Sequence, residues 1–287
     1  MAQRKGLLIA YILLAVIIVL LILILLGFPT LTRERVVREE PEDKSEQSEA
    51  PVEKPKPAGS LYIIIDDVGN SMKDLEPFLA LDIPMTFAVL PERPYTVQAA
   101  RALHEAGKQV IIHQPMEPEG NQDPGKGAIY SGMKPDEIRG LLEKHLKENP
   151  YAVGMNNHMG SKASTDKDVM ATVLMFAKEK NLYYLDSYTT GSSVGKTVAD
   201  TVKLDFTWRN SMFLDNDRSR ESILEALRAG LETAQKRDHA VMIGHVMSNE
   251  LASILLDVYP ELIEEGYTFK ELSEIFTENM IDAGPGS

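Results

Sequence analysis

Leu61-Tyr62-Ile63-Ile64-Ile65-Asp66-Asp67-Val68-Gly69 sets five apolar residues directly ahead of two adjacent carboxylates. A continuous apolar run of that length reads as a strand buried on both faces, as in a parallel sheet. The same event recurs along the chain. QVII (109–112) runs into His113, AVGM (152–155) into Asn156-Asn157-His158, LYYL (182–185) into Asp186-Ser187, and AVMIG (240–244) into His245. Further strands are expected at 85–90 and 205–208. Helical patterns fill the intervals, at 73–81, 95–106, 135–147, 166–180, 193–201, 220–236 and 249–265. Pro84 and Pro94 stand just before a strand and a helix, where a missing N–H is tolerated, and Gly107 suits a helix C-terminus. Thr165 followed by Asp168 resembles a capping box with Asp for the usual Glu. Six or seven βα units predict an α/β fold, an irregular (β/α)7-type barrel, with a doubly wound sheet as the alternative. In parallel α/β folds the carboxyl ends of the strands are where chemistry is built.

Composition narrows the chemistry. The 287 residues carry a formal charge of −13 and no cysteine. Disulfides, thiolate catalysis and Cys-ligated zinc are excluded, so a metal would sit on His, Asp or Glu. The acidic balance, without a Lys/Arg stripe in the globular part, argues against nucleic acid. No Gly-rich nucleotide loop comes after a strand.

The two ends are distinct. Residues 7–26 are uncharged and apolar, long enough as a helix to cross roughly 30 Å of hydrocarbon. No small-x-small cleavage pattern comes after them, so residues 1–28 read as an uncleaved signal anchor and single-pass transmembrane helix. Residues 29–59 are charged and Pro-rich, a flexible tether, ahead of a globular domain at 60–278 and a tail at 279–287.

The strand-end residues suggest metal-assisted hydrolysis. Adjacent carboxylates such as Asp66 and Asp67 are costly to bury as anions unless paired or metal-bound. One would ligate a metal while the other takes a proton from water. Asp67, His113 and His158, on three different strands, would leave coordination positions open, as catalytic zinc requires. Glu117, four residues after His113, is close enough for a tight turn to bring it to the same ion. His245 suits a general acid or base because its pKa lies near neutrality. Asp186 would hold an imidazole in place, and Arg209 would either pair with a carboxylate base or form a surface salt bridge. His104, His145 and His239 lie among solvated residues and read as bystanders.

The segments IDDVG (65–69), HQPMEP (113–118), GMNNHMGS (154–161), YYLDSYTT (183–190), WRNSMFLDND (208–217) and VMIGH (241–245), taken in order, resemble the divergent polysaccharide deacetylase family of the NodB-homology superfamily. That resemblance implies an irregular (β/α) barrel, a zinc or similar divalent ion, and hydrolysis of N- or O-acetyl groups on cell-wall polysaccharide. It also implies Asp66 as general base, Asp67 and His113 as metal ligands, His245 as the acid serving the leaving group, and Asp186 as a supporting group. Two features depart from the family's usual pattern. Glu117 stands where a second His is expected, and Asn156-Asn157-His158-Met159-Gly160-Ser161 stands where an Arg-x-Pro segment is expected. His158 would then supply the missing imidazole, with Glu117 as the alternative ligand or an outer support.

The resulting expectation is a membrane-anchored, extracytoplasmic, metal-dependent deacetylase of acetylated cell-wall polysaccharide. The competing expectations are a catalytically weak relative that binds glycan or an envelope protein through the same cleft, and a hydrolase of another bond. Tyr130, Tyr188 and Trp208 would offer sugar-stacking rings in either of the first two cases.

Overall fold

A computed structural model describes residues 57–277. The anchor expected at 1–28, the tail at 279–287 and nearly all of the 29–59 tether lie outside the described residues. Among the described residues no helix is long and apolar enough to cross a membrane.

The strands are β1 (Gly59–Val68), β2 (Thr86–Val89), β3 (Gln109–Met116), β4 (Gly154–Met159), β5 (Tyr183–Asp186), β6 (Phe206–Trp208), β7 (His239–His245) and β8 (Tyr267–Lys270). The helices are α1 (Met72–Leu79), α2 (Thr96–Glu105), α3 (Pro135–Glu148), α4 (Lys167–Glu179), α5 (Gly195–Val202), α6 (Arg220–Arg237) and α7 (Asn249–Glu264). All described pairings are parallel, in the order β6-β5-β4-β3-β2-β1-β7. Consecutive strands neighbour each other from β1 to β6, and β7 returns to β1. A doubly wound sheet would reverse that order. The segment after β6 then lies along β7: Leu214 N–H donates to Ile243 O at 2.8 Å and Val241 N–H donates to Asn210 Oδ1 at 2.8 Å. The result is a nearly closed parallel barrel.

Strand β8 is not among the strands expected from the sequence. It pairs with β1 at Gly59 to Tyr62, below the Ile64 to Val68 stretch that β2 occupies on the same edge. Only four residues long, it alternates buried Tyr267 and Phe269 with less buried neighbours and offers no continuous apolar run.

Side-chain alternation divides the core into inside and outside. Leu61, Ile63 and Ile65 of β1 pack outward with residues of α1, α6 and α7. Tyr62 and Ile64 point inward, with Ala88, Ile111, Tyr183, Leu185, Val241 and Ile243 from other strands. The period of two predicts which residues extend that interior upward: Asp66, His113, Asn156, Ser187 and His245. Leu272 and Ile275 plug the opposite end.

Two local expectations need correction. Thr165 does not cap α4; it ends a 3-10 turn (Ala163–Thr165), and the N-cap is Asp166, whose Oδ1 accepts from Asp168 and Val169 N–H at 3.0 and 3.2 Å. The turn moves the helix start by one residue. His145 is not solvated but fully buried. Ile138, Leu142 and His145 share the apolar stripe of α3, which the helical spacing places against the barrel.

Candidate metal centre and active site

Strands β3 and β4 each run four residues past their apolar stretches, so His113, Asn156, Asn157 and His158 lie within the ladder. His113 and Asn156 are register partners, and so are Asp66 on β1 and His245 on β7. By alternation Asp67 should face away from Asp66. A register irregularity between Ile65 and Val68, with Asp67 at φ +65°, turns its side chain back to the same mouth. Asp tolerates this left-handed conformation better than most residues because its short side chain bonds locally.

Three ligand atoms converge there. Asp67 Oδ1 lies 2.9 Å from His158 Nδ1 and 3.2 Å from His113 Nε2, and the two imidazole nitrogens are 3.2 Å apart. A tetrahedral zinc ion bound at about 2.0–2.1 Å would set its ligand atoms roughly 3.3 Å apart. Buried Asp67 Oδ1 also has no properly directed hydrogen-bond donor. An anionic oxygen left so, facing two imidazole nitrogens, fits a cation between them. Among the described residues this is the one Asp/Glu/His group with that convergence.

Asn156 organises the centre. Its Nδ2 donates to Asp66 Oδ1 at 2.9 Å, which assigns its Oδ1 as acceptor for His113 Nδ1–H at 2.7 Å. His113 Nε2 is thereby left with its lone pair directed at Asp67 and His158, the tautomer a metal requires. Ser187 completes the support, donating through Oγ to Asn157 O at 2.8 Å and accepting from Asn156 Nδ2 at 3.3 Å.

The electrostatics arise from burial and from these neighbours. Burial pushes the Asp66 carboxyl up, against the pull of the His113 and His245 imidazoles. Burial acts on Asp67 the same way, but the closeness of the His113 and His158 imidazoles overcomes it and holds the carboxyl well below the usual range. Burial opposes a charge on His245 too. The Asp215 carboxylate, with the Asp66 and Asp67 charges behind it, nonetheless raises this imidazole to about 9. Asp215 Oδ1 lies 2.8 Å from His245 Nδ1, so Nε2 is the nitrogen available to a ligand.

The remaining expected residues lie elsewhere. Glu117 does not join the cluster: its carboxylate accepts from Ser131 N–H at 2.9 Å and pairs with Lys162 Nζ at 2.8 Å. It lies beyond the end of β3, where the chain has left the ladder. Asp186 supports no imidazole. Its parity on β5 sends it outward, where Tyr188 N–H and Ser193 Oγ–H bond it at 2.8 and 2.6 Å. Burial pushes its carboxyl up against those two bonds. Arg209 forms neither expected pair. It donates to the carbonyls of Ser187, Tyr188 and Ser211 and lies over the Phe213 ring, 3.9 Å from its centroid. It ties the end of β5 to the segment that follows β6, a role for a guanidinium with several donors in a fixed fork. The roles of Asp215 and Asn156 are not evident from sequence. Asp215 repeats the apolar-to-acid step at Phe213-Leu214-Asp215, but two residues are too few to read as a strand.

A family model described as divergent polysaccharide deacetylase matches residues 63–276. The chain is 32% identical over 228 residues to the uncharacterized protein YibQ of Escherichia coli (strain K12), covering 78% of this chain and 70% of that one. It is 30% identical over 192 residues to an uncharacterized protein of Haemophilus influenzae, covering 67% and 68%. An uncharacterized protein from Agrobacterium tumefaciens C58 has a similar solved structure, with a TM-score of 0.70 and 16% identity over 77% of this chain and 91% of that one. The last likeness is one of fold. The long family match and the two relatives establish more: this chain is a member of the divergent polysaccharide deacetylase family.

Proposed function

We propose that this protein is a metal-dependent hydrolase removing acetyl groups from a cell-wall polysaccharide. The observation that carries the reading is the 2.9–3.2 Å triangle of Asp67, His113 and His158 ligand atoms, with Asp66 and His245 paired in register beside it. Those three residues would hold a divalent ion, and a set of one carboxylate and two imidazoles favours zinc. When bound, such an ion supplies Lewis acidity to the acetyl carbonyl and to water. Asp66 takes the proton of the attacking water; its burial keeps the carboxylate basic, and Asn156 fixes its orientation. The water oxygen adds to the carbonyl carbon, and the bond from that carbon to the sugar nitrogen or oxygen then breaks. His245, charged at neutral pH and held through Nδ1 by Asp215, gives its Nε2 proton to the departing amine or alkoxide. Acetate and a free amine or hydroxyl result.

The apolar stretch at 7–26 supports a membrane anchor, with the hydrolase domain on the extracytoplasmic side where such a substrate lies. Acetate release from acetylated cell-wall oligosaccharides by the full-length protein tests the activity. Asp66→Asn should abolish release with metal affinity retained. Release undiminished in that variant rejects the assigned base, and none from the metal-loaded parent rejects the reaction.

A further inference from the structure

On the outer side of β5 and β6, away from the metal ligands, lies a cavity of about 260 Å³. Asp186, Tyr188, Ser193, Lys196, Phe206 and Trp208 line it. Asp186 and Trp208 are register partners, one step above the stacked pair Tyr184 and Phe206, so their side chains leave the sheet on the same face. Asp186 is 2% exposed, whereas Tyr188 and Trp208 are 44% and 36% exposed.

Tyr188 is built at a cost in conformation. Its φ is +52°, the left-handed region that bulky residues avoid. Bonds on both sides impose it: Tyr188 N–H donates to Asp186 Oδ1 at 2.8 Å, and Tyr188 O accepts from Arg209 Nη2 at 3.0 Å. Glycine would suit this backbone better. An aromatic ring kept here, nearly half exposed, lies outside the core clusters, and strain of this kind collects at ligand sites. Neighbouring Ser187 bonds Asn156 of the metal centre, so cavity and centre share one strand end.

We propose that this cavity is a glycan subsite that takes one pyranose ring of the polysaccharide chain. A pyranose has an apolar C–H face and an edge of hydroxyls. Tyr188 and Trp208 match the first, while the Asp186 carboxylate, the Ser193 hydroxyl and the Lys196 ammonium match the second. The choice of a glycan as occupant rests on the deacetylase reading; the existence of a ring-sized aromatic and acidic site does not.

Trp208 is the chain's only tryptophan, so selectively excited tryptophan emission reports on this cavity alone. Full-length protein in a sugar-free zwitterionic detergent would be titrated with a soluble N-acetylglucosamine tetramer, with a chelator present to silence the metal centre. A saturable change in Trp208 emission is expected. Tyr188→Gly should weaken it about tenfold, the loss of one stacking face, without lowering Tm. No saturable change, or unaltered affinity in Tyr188→Gly, overturns the assignment. Should that variant fail to fold, Lys196→Ala, at an exposed helical position, must weaken binding; unchanged affinity there has the same consequence. Tetramer binding here, with no acetate released from the tetramer by the metal-loaded protein, would remove the deacetylase reading and leave the subsite standing. Release without a Trp208 response would do the reverse.

Discussion

Asp215 grips His245 twice: Oδ1 lies 2.8 Å from the imidazole Nδ1, and Oδ2 accepts the His245 main-chain N–H at 2.9 Å. The carboxylate thus fixes both the backbone and the ring of the residue that faces Asp66 across the β1–β7 ladder. A neutral amide would keep part of the shape and lose the charge.

Asp215→Asn should therefore move the His245 pKa from about 9 back toward 6.5. The alkaline limb of the rate profile should move down with it, and turnover at pH 8 should fall about 10–100-fold. Stability obeys the same linkage. A folded-state pKa raised above the unfolded value stabilises fully below about 6.5, and the contribution disappears as pH rises through about 9. A rise of that size corresponds to about 3 kcal/mol at most. The parent should lose Tm between pH 6.5 and 9 more steeply than Asp215→Asn. Parallel curves from pH-dependent calorimetry, or an unmoved imidazole titration by NMR, would contradict the pairing.

Divalent-metal affinity should separate the ligands from Glu117. Asp67→Asn keeps a side chain that accepts φ +65° and removes only the charge, so the fold should persist while zinc affinity falls more than about 100-fold. His158→Ala should fall comparably. Glu117→Gln, whose carboxylate is committed to Lys162 and Ser131, should change affinity by no more than about threefold. Equilibrium dialysis against a competing chelator measures all three. A larger loss in Glu117→Gln than in His158→Ala reverses the ligand assignment.

Asn156 bridges acid and ligand, so one substitution should disturb both. Asn156→Asp replaces the amide that donates to Asp66 by a second carboxylate. Like charge raises the Asp66 pKa, and the acid limb of the rate profile should move to higher pH. The acceptor for His113 Nδ1–H survives, so metal affinity should fall by less than in Asn156→Leu, where about 10–100-fold is expected. Equal metal affinity in the parent and Asn156→Leu would show that His113 is oriented by something else.

Much of the fold was legible locally. Buried parallel strands need apolar residues on both faces, so 61–65, 110–112 and 240–243 declare themselves as unbroken runs, and the polar residue that ends each run, or comes just after it, marks the strand-end chemistry. Strand β8 escaped because four alternating residues are too short a pattern. His145 escaped because a polar residue on an apolar helical stripe cannot be recognised as buried until its partners are known. They are Gln114 and Glu92, bonded to its two ring nitrogens at 2.8 and 3.2 Å.

Composition and short-range order were enough to establish the α/β alternation, the strands that carry most of the candidate residues, the absence of thiol chemistry and the family resemblance. Which residues meet depended on the folded chain as a whole. Side-chain parity turned Asp186 outward, although it also ends an apolar run, and a left-handed residue turned Asp67 inward against that parity. Closure of the barrel brought Asp215 from the β6–β7 seam to His245. Facing direction and cross-strand distance arise from backbone dihedrals and long-range register, and neither is written in any single segment of the chain.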